Sequence, residues 1–162
     1  MQMRRSDREV TDKNEILNII KNCDVCRLGL NDGEVPYILP MNFGIKEETD
    51  GFVLIFHSAT EGKKVELLRN NKKVFFEMDR GHELEYDKDR GYCTMMYESV
   101  MGIGDVFFFD GVDVPGALQI LMDKYHPEIS GHTFYNQSAI PRTLVYGVRV
   151  SFSNVSAKRK SR

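Results

Sequence analysis

The chain reads as mainly β, an antiparallel barrel with a few flanking helices, and three observations predict it. About six or seven β-prone stretches follow one another through local turns. Only three segments carry an apolar repeat with helical spacing. Strand and helix do not alternate strictly, as a doubly wound parallel sheet would need. At 162 residues with 41% apolar composition the chain suits one domain with a sizeable core. Residues 1–157 are expected to form that domain, and residues 158–162 a basic, flexible tail.

Asp12 and Glu15 have capping-box spacing, and Ile16, Ile19, Ile20 and Cys23 recur on one face. A first helix therefore starts at Thr11 or Asp12 and ends near Asn22. Residues 25–30 read as a strand, Asn31-Asp32-Gly33-Glu34 as a turn and 35–44 as the returning strand. Pro36 and Pro40 offer no ladder donor, so the returning strand is an edge or is bulged. Residues 46–51 turn the chain into a third strand at 52–57, followed by a short helix at 63–70 and a fourth strand at 74–79. The charge-dense stretch 80–91, with Gly81 and Gly91 near its ends, reads as an exposed loop.

Residues 92–109 form a long β-prone segment in which Gly102 and Gly104 share a face and invite close approach. Asp113 is placed to cap a helix at 114–125, whose stripe is Leu118, Leu121, Met122 and Tyr125. Residues 126–142 are irregular, and 143–152 alternate as a last strand. The first helix and Phe107-Phe108-Phe109 carry more apolar surface than a small barrel interior uses, which points to dimerisation.

A formal net charge of −2 and an isoelectric point of about 6.1 argue against nucleic acid or an acidic membrane as partner. The polar N-terminus shows no leader or spanning segment, so a cytoplasmic location is the expectation. Three cysteines, Cys23, Cys26 and Cys93, do not make a secreted disulfide framework. Cys23 and Cys26 have redox-motif spacing but close a helix, where the dipole raises a thiol pKa. No metal site is expected, because further ligands with paired spacing are lacking. No Ser-His-Asp or Cys-His arrangement is suggested by spacing.

Chemistry concentrates between Pro36 and Lys64. The strand through Phe56 and His57 runs into Ser58, Ala59 and Thr60, then Gly62, Lys63 and Lys64 at the start of a helical pattern. Free backbone N–H groups and the helix dipole favour an anion there. Two cations at a helix start are disfavoured until an anion reverses the balance, so the segment reads as a phosphate pocket on which Ser58, Thr60, Lys63 and Lys64 converge, with two surface lysines shielding a helix end as the alternative. The segment is not a Walker A loop, since His57 stands where glycine is required and Lys64 where Ser or Thr is required.

Several blocks in order then resemble one family. They are Met3-Arg4-Arg5-Ser6-Asp7-Arg8-Glu9-Val10, Arg27-Leu28-Gly29-Leu30, Pro40-Met41-Asn42-Phe43-Gly44, Phe56-His57-Ser58-Ala59 with Gly62-Lys63-Lys64, and Tyr97-Glu98-Ser99-Val100-Met101-Gly102-Ile103-Gly104. In these the chain resembles the FMN-binding split-barrel proteins related to pyridoxamine 5′-phosphate oxidase, in the branch of the nitroimidazole-resistance (Nim) proteins. The resemblance implies a Greek-key split barrel and a homodimer with FMN or FAD at or near the subunit interface. It implies that Pro40, Met41 and Asn42 line the flavin ring, that Ser58, Ala59, Lys63 and Lys64 hold its phosphate end, and that Ser99 and Gly102 approach the ring or ribityl chain.

Asn42 both donates and accepts, which suits the imide edge of a flavin. His57 is a flavin-pocket residue and the candidate catalytic acid, because imidazole titrates near neutrality. The function expected is a flavin-dependent oxidoreductase acting on a small planar substrate, such as a 5-nitroimidazole, with a nicotinamide donor. A non-catalytic flavin store or redox sensor is the alternative, and a haem- or deazaflavin-handling relative a third. Oxidation of pyridoxamine phosphate is disfavoured, since Arg142 and Arg149 are the only candidates near the C-terminus for a substrate-phosphate cluster.

Overall fold

The computed structural model describes residues 5–129 and 137–161. The readings placed on Met3, Arg4 and Arg162, and on 130–136 of the irregular segment, lie outside those residues. The first helix forms as the capping signal predicts: α1 spans Lys13–Lys21, and the Asp12 carboxylate accepts the Glu15 N–H at 2.9 Å. Such a cap is worth about 1 kcal/mol. The apolar face of α1 is consumed inside the chain, with Ile19 and Ile20 fully buried in the main core.

Among the described residues nine antiparallel strands make one sheet. The order is β3 (Tyr37–Met41), β2 (Cys26–Leu30), β6 (Lys73–Asp87), β7 (Tyr92–Phe108), β8 (Thr143–Ser151), β5 (Gly51–Ala59) and β4 (Gly44–Glu48). Two further strands, β1 (Glu9–Val10) and β9 (Val155–Lys160), pair with each other, and β9 also pairs with β7. This is the mainly β split barrel. Phe52, Leu54 and Phe56 on β5, Phe76 on β6 and Tyr146 on β8 fill its interior. There the Phe52 and Phe76 rings meet edge to face and Phe56 stacks on Tyr146 with centroids 5.3 Å apart.

The opposite face of β5 and β8 is covered by α3 (Asp113–Tyr125), whose Val114, Ala117 and Leu118 pack on Val53, Ile55 and Val145. Phe107 and Phe109 join this second cluster. The apolar face of α1 is thus buried within one chain, while Phe107, Phe108 and Phe109 stay half-buried against the two clusters. Close approach decides one glycine in particular: a Cβ on Gly44 would lie 2.9 Å from the Leu121 backbone, so α3 rests directly on β4.

Several segments differ from the sequence reading. Pro36 and Pro40 do mark an edge strand, but residues 35–44 split into β3 and the start of β4. Residues 80–87 are not a loop: β6 runs to Asp87 and pairs with β7 across a bulge between Arg80 and Glu83. The period-two alternation there supplies a ribbon with one apolar and one acidic side, and its charges hid it. Asp113 is the first residue of α3, not its cap, and no side chain caps that end. Lys158 to Lys160 are not frayed, because β9 finds ladder partners on both β1 and β7. No helix among the described residues is long and apolar enough to cross a membrane.

Candidate functional site

The helix α2 spans Lys63–Asn70 and begins at Gly62, whose φ of 112° suits glycine, with no side chain capping it. The Gly62 carbonyl accepts the Val65 N–H at 2.9 Å and the Glu66 N–H at 3.2 Å. The earlier N–H groups of the helix are the ones that point outward to an acceptor. The two lysines that follow Gly62 then part company. Lys63 is exposed, pairs with Asp32 in the β2–β3 turn and sits 5.2 Å over the Tyr37 ring. The Asp32 carboxylate beside it raises its pKa.

Lys64 turns inward. It is half-buried, its Nζ lies 3.5 Å from Met41 Sδ, and no carboxylate among the described residues pairs with it. Burial lowers its pKa. His57, at the far end of β5, has its pKa lowered first by burial and then by the Lys64 charge, so its imidazole is neutral at pH 7. Met41 and Lys64 thus meet in one corner, and His57 stands near enough to feel the Lys64 charge. The ingredients of the corner are a half-buried thioether, a cation without a carboxylate partner among the described residues and a helix start that no side chain caps, with the His57 imidazole nearby.

Side-chain alternation on β5 sends His57 and Ser58 to opposite faces. His57 lines a cavity of about 170 Å³ with Leu118, Leu121, Met122, Ile140 and Thr143, closed on one side by α3. The Ser58 hydroxyl donates to the Ala59 carbonyl at 2.8 Å. Ala59 is exposed and pairs with Thr143. Asn42 is exposed at the end of β3, beside Phe43, whose N–H donates to the Tyr125 hydroxyl at 3.1 Å. That hydroxyl in turn donates to the Asp24 carbonyl at 2.7 Å, so Tyr125 holds the chain next to Asn42. Tyr125 belongs to a helix stripe and carried only a core signal in the sequence.

Ser99 and Gly102 lie elsewhere. Phe109 donates its N–H to the Val145 carbonyl, and Val145 is the ladder partner of His57. Gly102 is seven residues back along β7, about 23 Å at roughly 3.3 Å per residue. Its bare Cα is covered by the chain itself, since a Cβ there would stand 2.6 Å from the Asn154 carbonyl and 2.9 Å from the Phe76 ring. Ser99 is on the outer face, as is Pro40, which stands in one row with Arg27, Glu77 and Met101 across β3, β2, β6 and β7. Three strand spacings, about 14 Å, separate the ends of that row.

The cysteine pair is inert: Cys23 and Cys26 are buried, and burial pushes Cys23 up to about 11 and Cys26 higher still. Arg149 pairs with Glu48 at 3.1 Å and lies over the Phe107 ring, away from His57. Among the described residues no group of three or more His, Cys, Asp or Glu is placed to hold a metal ion.

Comparisons with known proteins agree with the split barrel. No curated relative matches the sequence. Among solved structures, a candidate 5-nitroimidazole antibiotic resistance protein from Bacteroides thetaiotaomicron is 34% identical, with 93% of this chain and 85% of that chain covered and a TM-score of 0.77. The FAD and heme binding protein from Mycobacterium smegmatis superposes with a TM-score of 0.77 at 15% identity, covering 96% of this chain and 74% of that one. The flavocytochrome Anf3 from Azotobacter vinelandii does so at 0.76 and 18% identity, covering 99% and 73%. At those identities the last two show the fold alone. The family model for pyridoxamine 5′-phosphate oxidase matches residues 12–159. With that match over nearly the whole chain, this protein belongs to the pyridoxamine 5′-phosphate oxidase family.

Proposed function

We propose that this protein binds FMN or FAD and uses it to reduce a small planar acceptor such as a 5-nitroimidazole. The observation that carries the flavin reading is Lys64: a half-buried cation that no carboxylate among the described residues pairs with, at the open start of a helix, against Met41 and near enough to His57 for its charge to be felt there. A phosphate suits that position through charge and backbone N–H donors together. Its corner residues fit the group, with Lys64 and the first N–H groups of α2 at the phosphate and Met41 and Asn42 along the ring. Lys63 is committed to Asp32 and acts at longer range.

The flavin, when bound, supplies the electron-transfer chemistry, and the protein supplies position and electrostatics. Lys64 would neutralise phosphate charge, and Asn42 offers both a donor and an acceptor to the ring edge. Neutral His57 presents an uncharged hydrogen-bonding ring to the apolar cavity, and so favours an uncharged acceptor over an anionic one. Support for a nitroaromatic acceptor comes from the 34% identity to the Bacteroides protein. Ser99 lies far from this corner within one chain, so a second copy, placed to bring its own Ser99 near, would complete a site at the subunit interface.

The decisive experiment is the visible spectrum of protein purified without added cofactor, with any released chromophore identified by mass. A flavin, bleached under anaerobic NADH or NADPH and reoxidised by a 5-nitroimidazole, is the expected result. Flavin that no nicotinamide reduces would favour storage or sensing, and a Soret band would replace the flavin reading with haem. A colourless protein that takes up neither FMN nor FAD would overturn it.

A further inference from the structure

Between β3 and β4 the chain changes partners. Met41, the last residue of β3, pairs with Cys26 on β2, whereas Gly44, the first of β4, pairs with Ile55 on β5. Asn42 and Phe43 cross between the two pairings and belong to neither strand. A buried N–H outside a ladder needs another acceptor. The fully buried Phe43 finds it in the Tyr125 hydroxyl at 3.1 Å. The same hydroxyl donates to the Asp24 carbonyl at 2.7 Å, in the link from α1 to β2. One side-chain oxygen on α3 thus ties the link after α1 to the crossing that carries Asn42.

The end of α3 is built around this crossing. Leu121, one turn before Tyr125, has its backbone against Gly44, and it also lines the His57 cavity. Lys124 stands 4.5 Å over the Phe43 ring and donates from Nζ to the Lys21 carbonyl at 2.7 Å. Leu121 and Lys124 press on the crossing, whereas the hydrogen bond from the Phe43 amide fixes its direction. Burial raises the Tyr125 pKa, so the hydroxyl keeps the proton that it gives to Asp24. An apolar residue at position 125 would serve the helix stripe equally well. Only the two hydrogen bonds call for a hydroxyl.

We propose that Tyr125 is a positioning residue for the flavin ring: through the Phe43 amide it fixes the backbone from which Asn42 offers its donor and acceptor. The proposal rests on the flavin reading given above and deepens it. Tyr125 acts through Asn42, not on the ring itself. Held in advance, the exposed Asn42 loses less freedom when a ligand binds, which is how preorganisation raises affinity. The helix α3 then sets two things at once, because the element that closes the cavity beside His57 also holds the segment that carries Asn42.

Tyr125→Phe keeps the ring and removes both hydrogen bonds. In flavin-free protein it should speed amide hydrogen exchange at Phe43 about 10-fold, the order of one lost hydrogen bond, and leave the amides of β7 as in the parent chain. Unchanged exchange at Phe43, or the same acceleration throughout the sheet, would overturn the proposal. FMN titrated into the same proteins, followed by its fluorescence, should bind Tyr125→Phe about 10-fold more weakly than the parent. Asn42→Ala should weaken binding too, and the double variant should bind no more weakly than Asn42→Ala alone, because one residue acts through the other. Combined with Lys64→Ala, by contrast, Tyr125→Phe should give the product of the two losses. Independent losses at Tyr125 and Asn42 would leave Tyr125 a merely structural residue and overturn its role. A parent chain that binds neither FMN nor FAD would sink the flavin reading and this proposal with it. A parent that binds flavin no better than Tyr125→Phe does would sink the role of Tyr125 alone.

Discussion

At the start of α2 the chain leaves a cation half-buried with no carboxylate partner among the described residues, while along the outer face of β7 it leaves apolar side chains uncovered. The two regions are incomplete in different ways. An uncompensated charge beside free N–H groups is satisfied by a compact anion, whereas a broad apolar face is satisfied only by another surface. The contrast teaches that ligand and partner sites can be told apart by what each lacks.

The comparison breaks most severely if the scaffold under the α2 corner is lost while the β7 face stays intact. Gly44→Val drives a side chain into the Leu121 backbone and should destabilise the protein by about 3 kcal/mol in chemical denaturation, since backbone on both sides prevents relaxation. An unchanged midpoint would mean that α3 does not rest on β4. Next in size, Lys64→Ala should weaken flavin binding about 30-fold, as loss of a charged hydrogen bond of about 2 kcal/mol does. Equal affinity for the two proteins would remove Lys64 from the phosphate site.

On the other region, Phe75, the ladder partner of Ile103 on β7, is already 40% exposed, so Phe75→Asp should weaken self-association about 10-fold without lowering the thermal midpoint of the monomer. Sedimentation identical to the parent chain would exclude Phe75 from the subunit contact. A smaller effect concerns pH. Folded His57 holds its proton less tightly than the unfolded residue, so the unfolded state takes up more protons as pH falls through the ordinary histidine range. Stability should therefore be complete above that range and fall below it, and His57→Gln should flatten this part of the pH profile. The smallest effect is expected of Lys63→Ala: flavin affinity should change no more than about 3-fold, because Lys63 is an exposed partner of Asp32. A loss as large as that of Lys64→Ala would erase the distinction between the two lysines.

Much of this architecture is readable in the chain. Asp12 and Glu15 announce α1, Gly62 announces α2, and the run from Phe52 to His57 announces β5, because caps, turn glycines and apolar periods act over a few residues. The ribbon 80–87 was hidden because Glu83, Glu85 and Asp87 look like loop residues until Tyr92 to Met96 pair with their strand. At the site, His57 and Lys64 were legible as chemistry next to a helix start. The diversion of Lys63 to Asp32 was not, since the two are brought together by the packing of α2 on the β2–β3 turn.

By itself the sequence determined the mainly β class, the Asp12 cap of α1, the helix start at Gly62 and the family blocks, all of which depend on near neighbours in the chain. Only the tertiary structure decided which lysine is free for an anion, that Gly102 is filled by Asn154 and Phe76, that β9 is held rather than frayed, and that Ser99 and Pro40 share an outer face. Those outcomes depend on register and on contacts between distant segments, and a one-residue shift of any strand would reverse the faces on which they stand.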